Sequence, residues 1–349
     1  MKTKVIFFII IMNALSVQAQ TVMKIHQPYG IAWQIPMDSI DSITYSTGNT
    51  ASVITTNPTS ISGTFCISGG IITNSGGVPI ENKGVCYSTS PLPTTAGIGI
   101  VNSSLSDTFT CYLNGLSANT TYYVRAFATN LIGTTYGNEI SFTTIGGIET
   151  TPGAGVTYNG YNYASIILGN GQEWITENLK TTTFANGDSI PNITDSLQWI
   201  NLTTGAWAYY NNDNQNENPY GKLYNWYAVE DQRNLCPVGW HIPTDEEFML
   251  LSYYLDLAYS GGKMKSTGTQ YWQNPNTDAS NESGFSGLPG GCRNYFGTFN
   301  LLSESGFWWT SSYAGTDSMW CYTLKYSDRF FTLGSSVKSI GQSVRCLKD

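Results

Sequence analysis

The chain runs to 349 residues, of which 13% are aromatic and only 11% charged. That is too much ring surface and too little charge for a disordered chain, and enough length for two or three domains. The formal net charge of −8 is dispersed without acidic or basic runs, which argues against nucleic acid and anionic membrane as partners.

The opening residues, MKTKVIFFIIIMNALSVQAQ, place Lys2 and Lys4 before an apolar run that ends in small residues. This is the pattern of a secretory signal cut near Ala19, so residues 1–19 are expected to be removed and the rest exported to the periplasm, the outer surface or the medium. Cleavage takes the net charge to about −10. The apolar run is too short and wrongly flanked for a membrane span, and no later segment approaches one, so membrane insertion is not expected. Residues 20–50 read as an N-terminal extension whose short alternation could add a strand or two without making a core alone.

From Ala51 to Ile145, short β-branched and aromatic runs alternate with Gly, Ser, Asn and Pro turns and show no helical period, which predicts an all-β sandwich. In LSANTTYYVRAFATN, Tyr122, Val124 and Ala126 fall on one face of a strand, and Tyr123, Arg125 and Phe127 on the other. The spacing of Leu116, Thr120 and Tyr122 resembles the corner of fibronectin type III domains at which a tyrosine hydroxyl ties the chain to backbone. With ISGGIITNSGG, KGVCYSTSPLPTT and IGTTYGNEISFTT around it, the segment resembles the fibronectin-like repeats of exported Bacteroidetes proteins. Such modules serve mostly as spacers or binding platforms, so this resemblance speaks for fold and not for function. Residues 146–155, GGIETTPGAG, read as a Gly/Thr/Pro linker with nothing to bury.

Residues 156–349 hold nine of the ten tryptophans and one clear helix signal. In PTDEEFMLLSYYLDLA, Thr244 is a natural N-cap, Glu247 completes a capping box, and Phe248, Leu251, Leu255 and Ala258 recur at helical spacing. Asp245, Glu246 and Glu247 suit the positive end of the helix dipole. His241 stands just upstream and the only other histidine is His26, so no pair for nucleophilic chemistry is visible. The expectation is that Trp240 and Ile242 pack inward while His241 hydrogen-bonds a loop and is left without a partner for chemistry.

Seven cysteines, none in a Cys-x-x-Cys or zinc-ligand spacing, suggest disulfides in an exported chain, and the odd count leaves at least one thiol free or paired between chains. Cys66, Cys86 and Cys111 can form at most one internal pair.

Six blocks follow one another in this last part: GNGQEWITENLKTTTFANGDSIP, YGKLYNWYAV, CPVGWHIPTDEEF, ESGFSGLPGGCRNYFGTF, GFWWTSS and GQSVRCLKD. In that order they resemble the Fibrobacter succinogenes major paralogous domain over about the whole of 156–349. The resemblance implies an α+β fold similar to C-type lectin-like domains and to the formylglycine-generating sulfatase modifiers, with two small sheets and long loops. The expected fold class is therefore multidomain, a fibronectin III-like sandwich followed by a C-type lectin-like domain. The resemblance also implies that Cys236 and Cys346 pair, a bridge worth up to about 4 to 5 kcal/mol on the chain-entropy model. Cys292 and Cys321 stand where the family more often carries aromatic residues, and two departures in one domain suggest a second bridge between them.

An oxidase of the sulfatase-modifier type needs two closely placed reactive cysteines, which this region lacks, so no enzymatic activity is expected. In NNDNQNENPYGK, Asp213 and Glu217 are weak calcium candidates, although the spacing is not that of an EF-hand and a solvated Asn-rich loop is the simpler reading. No other cofactor is expected. The loops LPGGCRNYFGTF and GFWWTSSYAG, with Trp320 beyond them, point to Arg293, Asn294, Tyr295, Trp308, Trp309, Tyr313 and Trp320 as ligand-binding residues, because aromatic rings stack on the C–H faces of sugars. The competing reading is that these rings fill an irregular core. The expected function is an exported binding or adhesion protein that recognises a glycan or a cell-surface protein. The alternatives are a structural or protein-binding surface component and a divergent formylglycine-generating-type oxidase. Finally, Asp-Ser-apolar triplets at Asp38, Asp41, Asp188 and Asp195 resemble O-glycosylation acceptors of exported Bacteroidetes proteins.

Overall fold

The computed structural model describes residues 22–26, 32–36 and 48–349. The expected signal segment and the triplets at Asp38 and Asp41 lie outside the described residues. Two units separate after Gly48. In the first, β1 (Val22–His26) and β2 (Ala32–Pro36) pair antiparallel, with Val22 opposite Pro36.

The second unit opens with a sandwich of β3 (Ser52–Thr59), β4 (Phe65–Asn74), β5 (Ile80–Ser88), β6 (Ile98–Val101), β7 (Thr108–Asn114), β8 (Thr121–Asn130), β9 (Gly133–Tyr136) and β10 (Ile140–Thr143). One sheet has the order β3-β4-β7; the other has the order β10-β8-β5-β6, with β9 also on β8. This is the fibronectin III-like arrangement. Period-two patterning builds its core: Phe109, Cys111 and Leu113 of β7 and Tyr122, Val124 and Ala126 of β8 are buried between the sheets. The tyrosine corner forms as its spacing predicts, with the Ser117 N–H donating to Tyr122 Oη at 3.0 Å over a buried Leu116.

The C-terminal part contains β11 (Thr150–Pro152), β12 (Val156–Tyr158), β13 (Tyr161–Tyr163), β14 (Ser165–Leu168), β15 (Glu173–Ile175), β16 (Trp207–Ala208), β17 (Leu223–Tyr224) and β18 (Trp240–His241), then β19 (Gly290–Arg293), β20 (Phe299–Leu302), β21 (Ser305–Tyr313), β22 (Met319–Lys325), β23 (Phe331–Ser336) and β24 (Leu347–Lys348). One sheet, β11-β14-β15-β24-β18, seats the last strand between earlier ones, with Trp174 opposite Leu347 and Trp240 opposite Lys348. The other sheet, β20-β19-β21-β22-β23, has a core on each face. Neighbouring Trp308 and Trp309 on β21 point to opposite faces and therefore enter different cores. Each indole N–H is satisfied, Trp308 by Asn178 Oδ1 at 2.8 Å and Trp309 by the Tyr224 carbonyl at 2.8 Å. Gly306 lets β21 pass close to β19, since a Cβ there would sit 2.4 Å from the Leu288 carbonyl oxygen.

Helices are few and short: α1 (Ser196–Ile200), α2 (Glu217–Tyr220), α3 (Trp226–Val229), α4 (Asp245–Tyr254) and α5 (Ser260–Met264). Asp195 caps α1, accepting from the Gln198 N–H at 2.8 Å, so the Asp195-Ser196-Leu197 triplet is also a helix start. α4 has its full capping box: Thr244 Oγ1 accepts from the Glu247 N–H at 3.2 Å, and Glu247 Oε2 accepts from the Thr244 N–H at 2.8 Å. It buries Phe248, Leu251 and Tyr254 but stops short of Ala258, because Leu255 caps it and Asp256 takes a φ of 70°.

Two expectations are corrected. Residues 146–155 are not a free linker: β11 pairs with β14, Ile148 packs on the C-terminal core, and Tyr254 Oη meets the Glu149 N–H at 2.9 Å and its carbonyl at 3.0 Å. A short Gly/Thr/Pro segment gains this order from tertiary partners that a local reading omits. Cys236 and Cys346 form the disulfide, Cα atoms 5.9 Å apart across 110 residues, but Cys292 and Cys321 do not. β21 lies between the strands that carry them, so they stand two strand spacings apart, about 9 to 10 Å, beyond the reach of a bridge. Cys66, Cys86 and Cys111 are likewise free and buried.

Candidate ligand site around Tyr313

The turn YNWYAVE begins with Asn225, whose Oδ1 accepts from the Ala228 N–H at 3.2 Å and the Ala206 N–H at 2.9 Å, fixing the start of α3. Trp226 and Tyr227 sit in its first turn and Glu230 caps its end. Two contacts lock Trp226: its backbone N–H donates to the Lys338 carbonyl at 2.9 Å, and its indole donates to the Thr310 carbonyl at 3.2 Å. Those contacts bring the end of β21 and the loop after β23 to one place. Tyr313 then meets Trp226 edge-on, ring centres 4.7 Å apart.

A lysine fills the space between the rings. Lys338 Nζ lies 5.0 Å from the centre of Trp226, 5.5 Å from Tyr227 and 5.6 Å from Tyr313. It donates to both Glu230 oxygens, at 3.0 and 2.9 Å, while Tyr313 Oη donates to Glu230 Oε2 at 2.9 Å. The cluster opens to solvent at Tyr313, which is 57% exposed, with the Lys338 and Glu230 side chains 27% and 28% exposed, while Trp226 forms its buried floor. The hydrogen bonds to Glu230 hold both the Lys338 ammonium and the Tyr313 phenol above their ordinary pKa values.

The same domain carries an enclosed counterpart. Lys222 Nζ lies 4.8, 5.2 and 5.5 Å from the ring centres of Trp207, Tyr209 and Tyr161, and it is paired with Glu217. Its side chain is only 1% exposed, and this burial lowers its pKa against the pull of Glu217.

Residues 168–348 match the family described as the Fibrobacter succinogenes major domain, which is more than half of the chain. The chain belongs to that family. The Fibrobacter major domain thus contains Trp226, Tyr227, Glu230, Tyr313 and Lys338, and the fibronectin III-like sandwich precedes it. Two solved structures are similar to parts of the chain. The sensor domain of the anti-sigma factor RsgI4 of Pseudobacteroides cellulosolvens is 14% identical with a TM-score of 0.21, over 27% of this chain and 94% of its own. The third fibronectin III domain of the human KIAA0343 protein is 14% identical with a TM-score of 0.19, over 31% of this chain and 94% of its own. No curated protein matches the chain. Among the described residues no helix is long and apolar enough to cross a membrane.

Of the residues expected to bind ligand, the major domain exposes few. Trp308, Trp309 and Arg293 are fully buried and cannot serve as platforms. Arg293 donates from Nη2 to the Thr194 carbonyl and from Nε to the Gly297 carbonyl, both at 3.0 Å, and stacks 4.3 Å from the Trp199 ring. It belongs to a set of buried cations that satisfy loop carbonyls. Lys265 is another, with three carbonyl acceptors on Thr277, Lys325 and Asp328 at 2.8, 3.0 and 2.8 Å. Arg345 is a third, held by Asn178 Oδ1 at 3.0 Å and the Phe285 carbonyl. A loop-rich domain has many carbonyls outside any ladder, and these long side chains reach them.

Asn294 shapes the turn after β19, accepting from the Phe296 N–H at 2.9 Å, and Tyr295 at its tip is exposed against Phe296. Trp320 is half-buried on the face of β22 shared with Tyr322, away from the Tyr313 cluster. Tyr313 alone of the expected residues lies among exposed charged and aromatic partners. Trp226, Tyr227, Glu230 and Lys338 were not legible as a site. Two rings and an acid within one turn are a weak local signal, and Lys338 lies 108 residues from Glu230.

The two weak calcium candidates, Asp213 and Glu217, both have protein partners. Asp213 accepts from the Gln215 N–H at 3.0 Å, and Glu217 takes Lys222 and the Tyr161 hydroxyl. His241 is not without partners: Nδ1 meets Asp349 Oδ1 at 2.7 Å and Nε2 meets Glu247 Oε1 at 3.0 Å. The capping carboxylate and the last residue of the chain converge on the ring, a meeting that only β18 pairing with β24 produces.

Proposed function

We propose that the protein is an exported, non-enzymatic binding module whose major domain has a C-type lectin-like fold and takes a glycan at the Tyr313 cluster, on the Tyr313 ring and the Glu230 carboxylate. The observation that carries this reading is the exposed Tyr313 ring beside an open carboxylate–ammonium pair. A flat ring stacks on the C–H face of a sugar, and the adjacent carboxylate gives the sugar's polar groups directed, charge-assisted hydrogen bonds. The lectin-like assignment is supported by the seating of the last strand beside the first ones, by one helix laid across the central sheet and by the long loops. Export is supported by the apolar run behind Lys2 and Lys4. Burial supports the absence of thiol chemistry, since it pushes the Cys66 and Cys292 thiols up to about 12.

Glycan-array binding of the wild type, Tyr313→Ala and Glu230→Gln tests the site. Binding of one glycan class by the wild type and a tenfold or greater loss in each variant, roughly the 1.4 kcal/mol of one directed contact, is expected. No binding by the wild type, or binding unchanged in both variants, overturns the reading. A protein ligand is the second reading, favoured by a separate apolar tip: Tyr295 and Phe296 are exposed next to exposed Leu197, because Ser196 Oγ donates to the Gly297 carbonyl at 3.0 Å.

A further inference from the structure

Access distinguishes the two lysine cages. At Lys222 the ammonium also donates to the Lys180 carbonyl and is sealed from solvent, so that cage is a finished piece of core. At Lys338 the same chemistry, three rings and one glutamate, opens to solvent through Tyr313. Two of the three rings of the open cage have anchors of their own besides Lys338's side chain. Trp226 is held by Thr310, Tyr313 by Glu230, and the loop itself by the Lys338 backbone carbonyl. The pair is partly open to solvent, and release returns rotamer freedom to a long lysine side chain, which offsets part of the contacts it gives up. A ligand ammonium then makes those same contacts in its place. Once vacant, the cage presents three ring faces and a carboxylate to a single point. That is a receptor for a cation, more than a neutral sugar requires. The net charge of −8 favours the approach of a positive ligand.

We infer that the Tyr313 cage receives the ammonium of an unacetylated amino sugar, and that Lys338 is a built-in occupant which this ligand displaces. The inference rests on the reading of this cluster as a glycan site and names the ligand class. The ligand ammonium takes over the hydrogen bonds to Glu230, its sugar ring lies along Tyr313, and Lys338 swings into solvent on an anchored backbone. Lys338 thereby acts as an intramolecular competitor that sets the affinity.

Titration calorimetry with a glucosamine tetramer and an N-acetylglucosamine tetramer tests this on the wild type, Lys338→Ala, Lys338→Gln and the double variant Lys338→Ala with Glu230→Gln. Melting curves of each variant serve as the control for folding, and Lys338→Gln keeps a stem over the rings if the alanine variant is perturbed. The glucosamine tetramer is expected to bind Lys338→Ala at least fivefold more tightly than the wild type, with a smaller gain in Lys338→Gln and loss of binding in the double variant. The N-acetylated tetramer should bind at least tenfold more weakly throughout. Equal affinity for the two tetramers, or weaker binding when Lys338 is removed, overturns the inference and leaves the glycan site standing. Failure of both tetramers in a chain that binds a neutral glycan on the array overturns it as well. Failure of every glycan overturns the site too.

Discussion

The ring of Tyr253 on α4 stacks on Phe65 of the sandwich, centres 5.0 Å apart and planes within 10° of parallel. Tyr112 extends the stack at 5.4 Å from Tyr253. The next residue, Tyr254, turns into the core of the major domain and holds the connecting segment through Glu149. Two consecutive tyrosines on one helix therefore dock the sandwich with one side and fasten the connection with the other. The sandwich carries the Tyr313 site as part of one body.

Tyr253→Ala removes both stacked contacts, each worth about 0.5–1.5 kcal/mol beyond the area they bury. Scanning calorimetry should show the wild type melting in one transition and the variant in two, with faster proteolysis between residues 146 and 155. A single unchanged transition would place the coupling elsewhere.

Lys265→Met takes from three carbonyls the donor that the buried ammonium supplies, because methionine keeps the volume and removes the charge. A loss of about 2–4 kcal/mol in urea unfolding is expected. A change under about 0.5 kcal/mol would mean that water replaces the ammonium.

Burial of His241 works against its charge, but hydrogen bonds to Asp349 and Glu247 and their charges outweigh it, and the pKa lies above the ordinary value. Folding therefore binds the proton. The stabilisation is fully present below the unfolded value of about 6.5 and is lost as pH rises through the higher folded value. Melting temperatures from about pH 5 to 9 should fall more steeply across that window in the wild type than in His241→Gln. Parallel profiles would refute the linkage.

The single disulfide predicts a chemical pattern. Iodoacetamide should label five thiols in the unfolded, unreduced chain and spare Cys236 and Cys346, with little labelling of the native chain because all five are buried. Replacing Cys236 and Cys346 by serine should cost up to about 4–5 kcal/mol. Labelling of only three thiols would reinstate a second bridge.

Features with a short-range cause were legible. The capping box at Thr244 needs four residues of sequence, the corner at Tyr122 needs six, and the alternation of β8 needs only the strand itself. The pairing of Cys236 with Cys346 was legible through resemblance to a family. The ligand-site residues were legible in part: the stretch around Tyr313 was singled out for its rings, but the neighbouring Trp308 and Trp309 proved to be core.

The sequence by itself determined a sandwich followed by a major domain and one well-capped helix, because patterning, capping and motif order are properties of nearby residues, while the cysteine staple was read only through the family resemblance. Only the tertiary structure decided which rings face water and which charges meet. An indole has the same composition on either face of β21, and Asp349 reaches His241, as Glu230 reaches Lys338, across 108 residues of chain. The physical reason is that exposure and ion pairing are set by the packing of distant strands, and no local pattern encodes it.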